Sequence, residues 1–344
     1  MTSPAASIIV LSWNGLEHLE VCLSSLCAQT FRDREIVLVD NASTDGTQAW
    51  LETRFPEVRV VRLERNRGVP GGVNFGLTHA RGRFIALLNN DIEADPEWLS
   101  ESIRALEQHP GAGFTASRIR LFHQRDRLDT AGDLYFREGF PAKRGWLHHD
   151  GPDFDVPGWV FGACAAAAVY RRELFDAVGN LDEEFQATME DLDLSFRAQL
   201  QGFKCRYVPT AILYHKLGAT IGVGFAQHAQ QLRMHRNLWL LRIKNLPGAL
   251  WLRYLPQMLV GEAAILVRAA ATGRLSVAMR ARLEVLQRLN TTLTKRRAIQ
   301  ARRVISVREL DAIIARDWFV QRRTEKRLEA EVRLLETSSV PSES

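Results

Sequence analysis

The sequence predicts an α/β fold: a mainly parallel sheet flanked by helices, with a helical extension at the C-terminal end. Three observations predict it. Short β-branched runs alternate with helix-spaced leucines up to about residue 91, polar and acidic residues gather where those runs end, and beyond about 225 the pattern becomes helical and basic.

The elements follow in order. "SIIVLSW" (7–13) is a short apolar strand, and "EHLEVCLSSLCAQ" (17–29) places Leu19, Leu23 and Leu26 on one helical face. "REIVLVDNAS" (34–43) is the second strand. A helix opens at "STDGTQAWLETRF" (43–55), with Ser43 or Thr44 as its cap. "VRVVRLE" (58–64), "GGVNFGLTHA" (71–80) and "RFIALLNND" (83–91) repeat the strand, helix, strand order. Such alternation implies right-handed crossovers and a ligand crevice at the carboxyl ends of the strands, where Asp40 and Asp91 fall. The stretch 112–220 is less regular, with Gly-, Pro- and aromatic-rich loops and a helix at "EDLDLSFRAQLQG" (190–202), and is expected to complete the same domain. Its close brings the boundaries 1–240 for the α/β domain, 241–336 for a basic amphipathic extension and 337–344 for a polar disordered tail.

Charge is uneven along the 344 residues. Residues 1–240 hold 25 Lys/Arg against 30 Asp/Glu, whereas 241–344 hold 20 against 10. In the extension, Met279, Leu283, Leu286 and Leu293, and then Val307, Leu310, Ile314 and Trp318, recur at helical spacing opposite Arg-rich faces. "LPGALWLRYLPQMLVGEAAILVRAAATG" (246–273) is strongly apolar but carries Pro256, Arg253, Glu262 and Arg268. It reads as a broken, surface-lying or packing helix rather than a span. Anionic lipid is the expected partner for the basic surface, with a purely structural subdomain or a homodimer interface as alternatives; nucleic acid is not expected, because no aromatics interleave with the arginines. Cys22, Cys27, Cys164 and Cys205 form no CxxC pair and sit among apolar neighbours, which points to reduced, buried thiols and a cytoplasmic setting; the basic, apolar C-terminal helices add an expected peripheral place on the inner face of the plasma membrane. The N-terminus shows no signal-peptide pattern.

The chemistry-bearing residues cluster at the strand ends. Asp40 suits a hydrogen bond to a base or ribose, or merely a helix cap. "ERNRGVPGGVNFG" (64–76) offers close backbone approach and the cations Arg65 and Arg67. In "LLNNDIEADPEWL", Asp95 before Pro96 suffices as a helix cap, which leaves Asp91 free for a hard divalent cation, Mg2+ or Mn2+, shared with substrate phosphates. Glu190 and Asp191 open a helix, where the dipole favours their anions and one can act as general base, or where both merely stabilise the helix. His215 closes an apolar run beside Lys216, a position more often structural than ligating.

Taken in order, "SIIVLSWNG", "VDNASTDGT", "NRGVPGGVNFG", "LLNNDIEADPEWL", "GACAAAAVYRRELFDAVGNLDEEF", "EDLDLSFR" and "YHKLGAT" resemble the inverting family 2 glycosyltransferases of GT-A fold, in particular a rhamnosyltransferase-like branch that builds bacterial surface polysaccharide. The resemblance covers about 6–240. It implies a nucleotide-binding set of Asn14, Asp40, Arg67, Asn89 and Asn90, a metal held by Asp91 and His215, Asp191 as catalytic base supported by Glu190, and a donor and acceptor pocket at Gly162, Ala163 and Cys164. In place of the first acid of a DxD motif stands Asn89, which lowers the charge offered to the metal. The implied reaction moves a sugar, with rhamnose first in line, from a dTDP- or UDP-sugar to a glycan or lipid-linked hydroxyl in a single displacement. A sugar-phosphate nucleotidyltransferase and a non-catalytic nucleotide-sugar-binding scaffold are the competing readings.

Overall fold

A computed structural model describes residues 3–216 and 225–338. The "LGAT" end of the "YHKLGAT" stretch and the last six residues of the tail lie outside the described residues.

The first part alternates as expected: β1 (Ala6–Ser12), α1 (Leu16–Cys27), β2 (Arg34–Asp40), α2 (Thr47–Arg54), β3 (Arg59–Arg62), α3 (Gly68–His79) and β4 (Phe84–Asn89). β3, β2, β1 and β4 lie side by side and run parallel. Ile8, Ile9, Val10, Val37, Leu38 and Val39 are buried on both faces of this half, which is why these strands read as unbroken apolar runs. Two boundaries differ from the sequence reading. α2 starts at Thr47, not at 43, because the 41–46 loop is occupied in hydrogen bonds to β1 and β2, and Asp45 rather than Ser43 or Thr44 accepts from the helix's first amide. α3 begins three residues early, at Gly68, whose positive φ of 71° starts the turn.

The irregular middle completes the sheet. It contributes β5 (Ile92–Ala94), α4 (Trp98–Gln108), β6 (Ala112–Leu121), β7 (Leu128–Thr130), the hairpin β8 (Asp133–Tyr135) and β9 (Pro141–Lys143), β10 (Gly158–Val160), β11 (Ala167–Arg171), α5 (Arg172–Val178), α6 (Glu190–Leu200) and β12 (Lys204–His215). β11 runs antiparallel between β4 and β6, and β6 pairs in parallel with β12. β5 folds back onto the end of β12, placing Ile92 opposite His215. Asp95 does not cap α4: the helix starts at Trp98, and the Asp95 carboxylate accepts from the Glu97 amide in the preceding turn, 3.0 Å. Cys22 and Cys205 are buried, but Cys27 and Cys164 are partly exposed, and all four are free thiols.

The C-terminal helices are α7 (Phe225–Asn245), α8 (Gly248–Ala271), α9 (Leu275–Gln287), α10 (Leu289–Ala301), α11 (Val307–Ile313) and α12 (Trp318–Ser338), so the expected boundary at 240 falls inside α7 and α12 runs two residues into the expected tail. Pro256 lies inside a continuous α8 instead of breaking it, so this helix is long and apolar enough to cross a membrane by length and composition, against the sequence expectation. The stripe of Met279, Leu283 and Leu286 faces solvent, while the smaller Ala278, Ala281 and Val285 pack inward. Leu310 and Ile314 are buried as the spacing implied, but the helix ends at Ile313 and Trp318 opens a new one after Asp317, at φ 64°.

Buried charge ties the extension to α6. Asp193, without exposure, meets Arg197 (2.9 Å), Lys244 of α7 (2.9 Å) and the Asn245 amide (2.7 Å), and Lys244 also meets Asp182 (2.6 Å), which Lys295 of α10 holds from the other side. Removing one partner strands the others in a poorly hydrated site. Lys244→Ala is expected to cost about 3 kcal/mol of unfolding free energy in urea denaturation, with no compensating change at the surface.

Candidate functional site at the carboxyl edge of the sheet

Two walls meet at the strand ends. On the first, β1 ends at Ser12 and turns through Trp13 and Asn14, the latter at φ 48°. The Asn14 side-chain oxygen accepts from the Thr44 amide (2.8 Å), and its own amide donates to Ser43 Oγ (3.0 Å), locking the β1 and β2 loops together. Asp40, fully buried, accepts from the Ser43 amide (2.8 Å) and from Arg62 Nη1 (2.5 Å). Both carboxylate oxygens are thus engaged, so Asp40 meets a base only if Arg62 gives way. Arg67 is exposed but its guanidinium is paired with Glu183 (2.9 Å), while its backbone amide donates to Asn41 Oδ1 (2.9 Å).

The turn that ends β4 forms the floor. Asn89 is partly buried, Asn90 donates to Ser12 Oγ (3.0 Å), and Gly15 is needed opposite because a Cβ there would collide with the Asn90 amide. Asp91 is 4% exposed and its Oδ1 has no hydrogen bond of good geometry, although His215 Nε2 stands 3.3 Å away. His215 Nδ1 lies 2.9 Å from Asp129 Oδ2, and the other Asp129 oxygen holds Lys143 at 2.5 Å. Burial opposes charge on all of these groups, and the ion pairs outweigh it. The hydrogen bond to Asp129 and the nearby charge of Asp91 lift His215 to about 9, while Lys143 and His215 hold Asp129 down to about 2 and His215 keeps Asp91 below the usual carboxylate range.

The second wall is α6 and the loop before β11. Glu190 is buried with Oε2 unpaired, and burial, reinforced by the charge of Asp191, pushes it up to about 8. Asp191 is partly exposed; its Oδ2 accepts from the Ala165 amide (3.0 Å) and its Oδ1 from Leu192 (2.7 Å). Since the Asn89 amide donates to the Ala166 carbonyl (3.1 Å), two adjacent residues join Asp191 to the Asn89–Asp91 turn. Gly162 and Ala163 lie buried in the same loop. Gly162 exchanges backbone bonds with Asp133 (2.8 and 3.3 Å) and abuts Ser195, which leaves no room for a Cβ; Cys164 is partly exposed, its thiol raised well above its ordinary value by burial. The turn into α6 is strained: Gln186, Thr188 and Met189 all have positive φ. Asn237 of α7 holds it, its amide donating to the carbonyls of Phe185 (2.8 Å), Ala187 (3.0 Å) and Thr188 (3.0 Å).

The structure therefore brings Asn89, Asn90, Asp91 and His215 to one turn and Glu190, Asp191, Gly162, Ala163 and Cys164 to the loop beside it, with Asn14 and Asp40 on the opposite wall. Arg67 is turned to Glu183, and Asp40 is engaged by Arg62. The sequence reading missed Asp129, Lys143, Arg62 and Asn237. Only Asp129 left a trace, as an acid in the otherwise small and apolar "LDTAG" turn.

Asp91 and His215 present one carboxylate oxygen and one imidazole nitrogen on the same spot. Among the described residues no group of three or more His, Cys, Asp or Glu forms a metal cage. That donor set fits a hard cation that draws its remaining ligands from phosphate and water, and Asp129 is placed to orient the imidazole from behind.

Glu190 gives a sign to the pH dependence. Its folded value lies above the roughly 4.3 of an unfolded glutamate, so unfolding releases its proton and stability falls as pH rises from about 4.3 through about 8. Glu190→Gln removes that slope. Its unfolding free energy in urea denaturation is expected to exceed the parent's by a margin that widens between pH 5 and pH 8, on the order of 1 kcal/mol per pH unit, and then stays level.

Comparison with known proteins agrees with this geometry. A family model described as glycosyl transferase family 2 matches residues 7–179. An uncharacterized protein of Sinorhizobium fredii is 31% identical over 233 residues, 64% of this chain but 25% of that protein. An N-acetylglucosaminyl-diphospho-decaprenol L-rhamnosyltransferase of Mycobacterium tuberculosis is 29% identical over 254 residues, 62% of this chain and 76% of the relative. Among solved structures, a mannosyltransferase of Pyrobaculum calidifontis in complex with GDP-Man and Mn2+ shares the fold at TM-score 0.50 and 20% identity, over 88% of this chain and 85% of its own. The alternating parallel half, the strand-end acids and the matching family model together place the chain in glycosyl transferase family 2, with a GT-A fold.

Proposed function

We propose that the protein is an inverting glycosyltransferase that moves a sugar, rhamnose being the first choice, from a dTDP- or UDP-sugar to a hydroxyl of a glycan or lipid-linked acceptor in surface polysaccharide synthesis. The observation that carries this reading is the partly exposed Asp191, set beside the buried Glu190 and joined through Ala165 and Ala166 to the Asn89–Asp91 turn. The rhamnosyltransferase of Mycobacterium tuberculosis to which the chain is similar supports the sugar. The catalytic unit is taken as 1–240, the extension as 241–336 and the tail as 337–344.

In this mechanism Asp191 takes the proton of the acceptor hydroxyl, whose oxygen forms the new bond to the anomeric carbon as the bond to the nucleoside diphosphate breaks on the opposite face. A neutral neighbour suits the task, because a second charge at Glu190 would repel the incoming diphosphate. Asn14, the Asp40–Arg62 pair and the half-exposed Trp13 (45%) would receive the base, Asn89 and Asn90 the ribose and phosphate oxygens, and Gly162 to Cys164 the sugar. Asp91 and His215 would hold Mg2+ or Mn2+, which supplies charge neutralisation for the departing diphosphate. The Mn2+ in the Pyrobaculum complex supports a metal of this type.

Asp191→Asn is expected to lower transfer roughly a thousandfold while calorimetric binding of UDP or dTDP with Mg2+ stays intact. Full activity in that variant would remove Asp191 from the base role. Release of pyrophosphate from a nucleoside triphosphate and a sugar phosphate would instead establish a nucleotidyltransferase.

Asp129→Asn leaves the imidazole without its rear carboxylate. Metal-dependent nucleotide affinity is expected to fall by about tenfold or more, with metal-free binding unchanged in the same calorimeter.

A further inference from the structure

We propose that the outward faces of α8 and α9 form a docking surface for an anionic lipid bilayer, on which the protein lies without spanning it. The inference goes beyond the donor site and does not depend on it.

α8 is apolar on two sides. One side packs into the protein through Leu250, Tyr254 and Met258, and Gly261 approaches the Phe140 ring so closely that a Cβ would clash with it. The other side leaves Leu252 (78%), Leu259 (58%) and Val267 (69%) in solvent. A tight turn at Gly273 returns the chain into α9, which packs on α8 and α7 through small residues and exposes Met279, Leu283 and Leu286, each more than half accessible. Single exposed leucines are ordinary on protein surfaces, but two adjoining helices that each leave several large apolar side chains in solvent are not.

Charge decides what covers the face. Between residues 248 and 283 the chain carries five arginines and one acid. That acid, Glu262, is buried and bound by Arg282 and Arg242. Arg253, Arg268, Arg274 and Arg280 are exposed; Arg253 meets Asp311 (2.9 Å) and Arg280 meets Glu284 (3.6 Å), which leaves Arg268 and Arg274 as the positive charge of this face. A second copy would set arginines against arginines. Headgroups of anionic lipid meet both needs at once, drawing the arginines by charge while the leucines enter the acyl boundary. The packed inner side keeps the helix in the membrane plane, since spanning would expose Tyr254 and the Glu262 ion pairs to hydrocarbon.

The test uses the full chain and sedimentation with vesicles of phosphatidylcholine, alone or with phosphatidylglycerol. Binding is expected to the mixed vesicles and to weaken with salt. Leu259→Asp with Met279→Asp should abolish it, and Arg268→Gln with Arg274→Gln should weaken it about fivefold per arginine. Thermal melts matching the parent's show that the variants fold, and Leu252→Asp with Val267→Asp serves as a second apolar pair. The proposal is overturned if the parent stays in the supernatant, if it binds neutral vesicles equally well, or if the Asp variants bind like the parent. It is also overturned if light scattering shows a dimer that those variants dissociate.

Discussion

The site is organised by one imidazole wedged between two carboxylates. His215 has Asp91 at one ring nitrogen and Asp129 at the other, in a place that is poorly hydrated, and Lys143 completes the charge balance behind Asp129. Without a cation between them, two buried acids this close would take up protons or force the strand ends apart. The sheet topology makes the wedge possible. β5 folds back from the Asp91 turn onto the end of β12, so the acid and the histidine, distant in sequence, become neighbours. The imidazolium reading and the metal-ligand reading describe the same nitrogen in two states, since a cation taking Nε2 must first displace its proton.

Asn89 fits this arrangement. An acid there would add another negative charge to a turn already flanked by Asp91, Asp129 and Asp191, with few cations in reach. The amide keeps a polar contact without charge, and on the facing wall burial favours the uncharged form of Glu190 in the same way. The two walls therefore carry fewer charges than their acid count suggests.

Much of the parallel half was legible in the sequence because its signals are local: β-branched runs, helix-spaced leucines, and acids at strand ends. The Asn89–Asp91 turn and the Glu190–Asp191 helix start were legible for the same reason. What escaped depends on partners remote along the chain. Asp129 gains meaning only from His215, Arg62 only from Asp40 across β2 and β3, and Asn237 only from a turn some fifty residues earlier. Helical spacing showed that α9 has an apolar stripe but not which way it faces, and packing chose the alanines because the contact with α7 is close. Pro256 was over-read as a break: its ring is on the exposed side of α8, where the carbonyl it leaves unpaired can take water.

The three carbonyls gathered by Asn237 have an implication for how such chains diversify. The turn before Glu190 and Asp191 is held in its unfavourable backbone conformation by α7, and turn, acids and helix all lie beyond the stretch matched by the family model. The sheet and the helices that follow it are thus not interchangeable parts. A hybrid that joins this sheet to the tail helices of a cousin would inherit the acids but not the clamp that points them, and recombination should succeed only where the asparagine travels together with the turn.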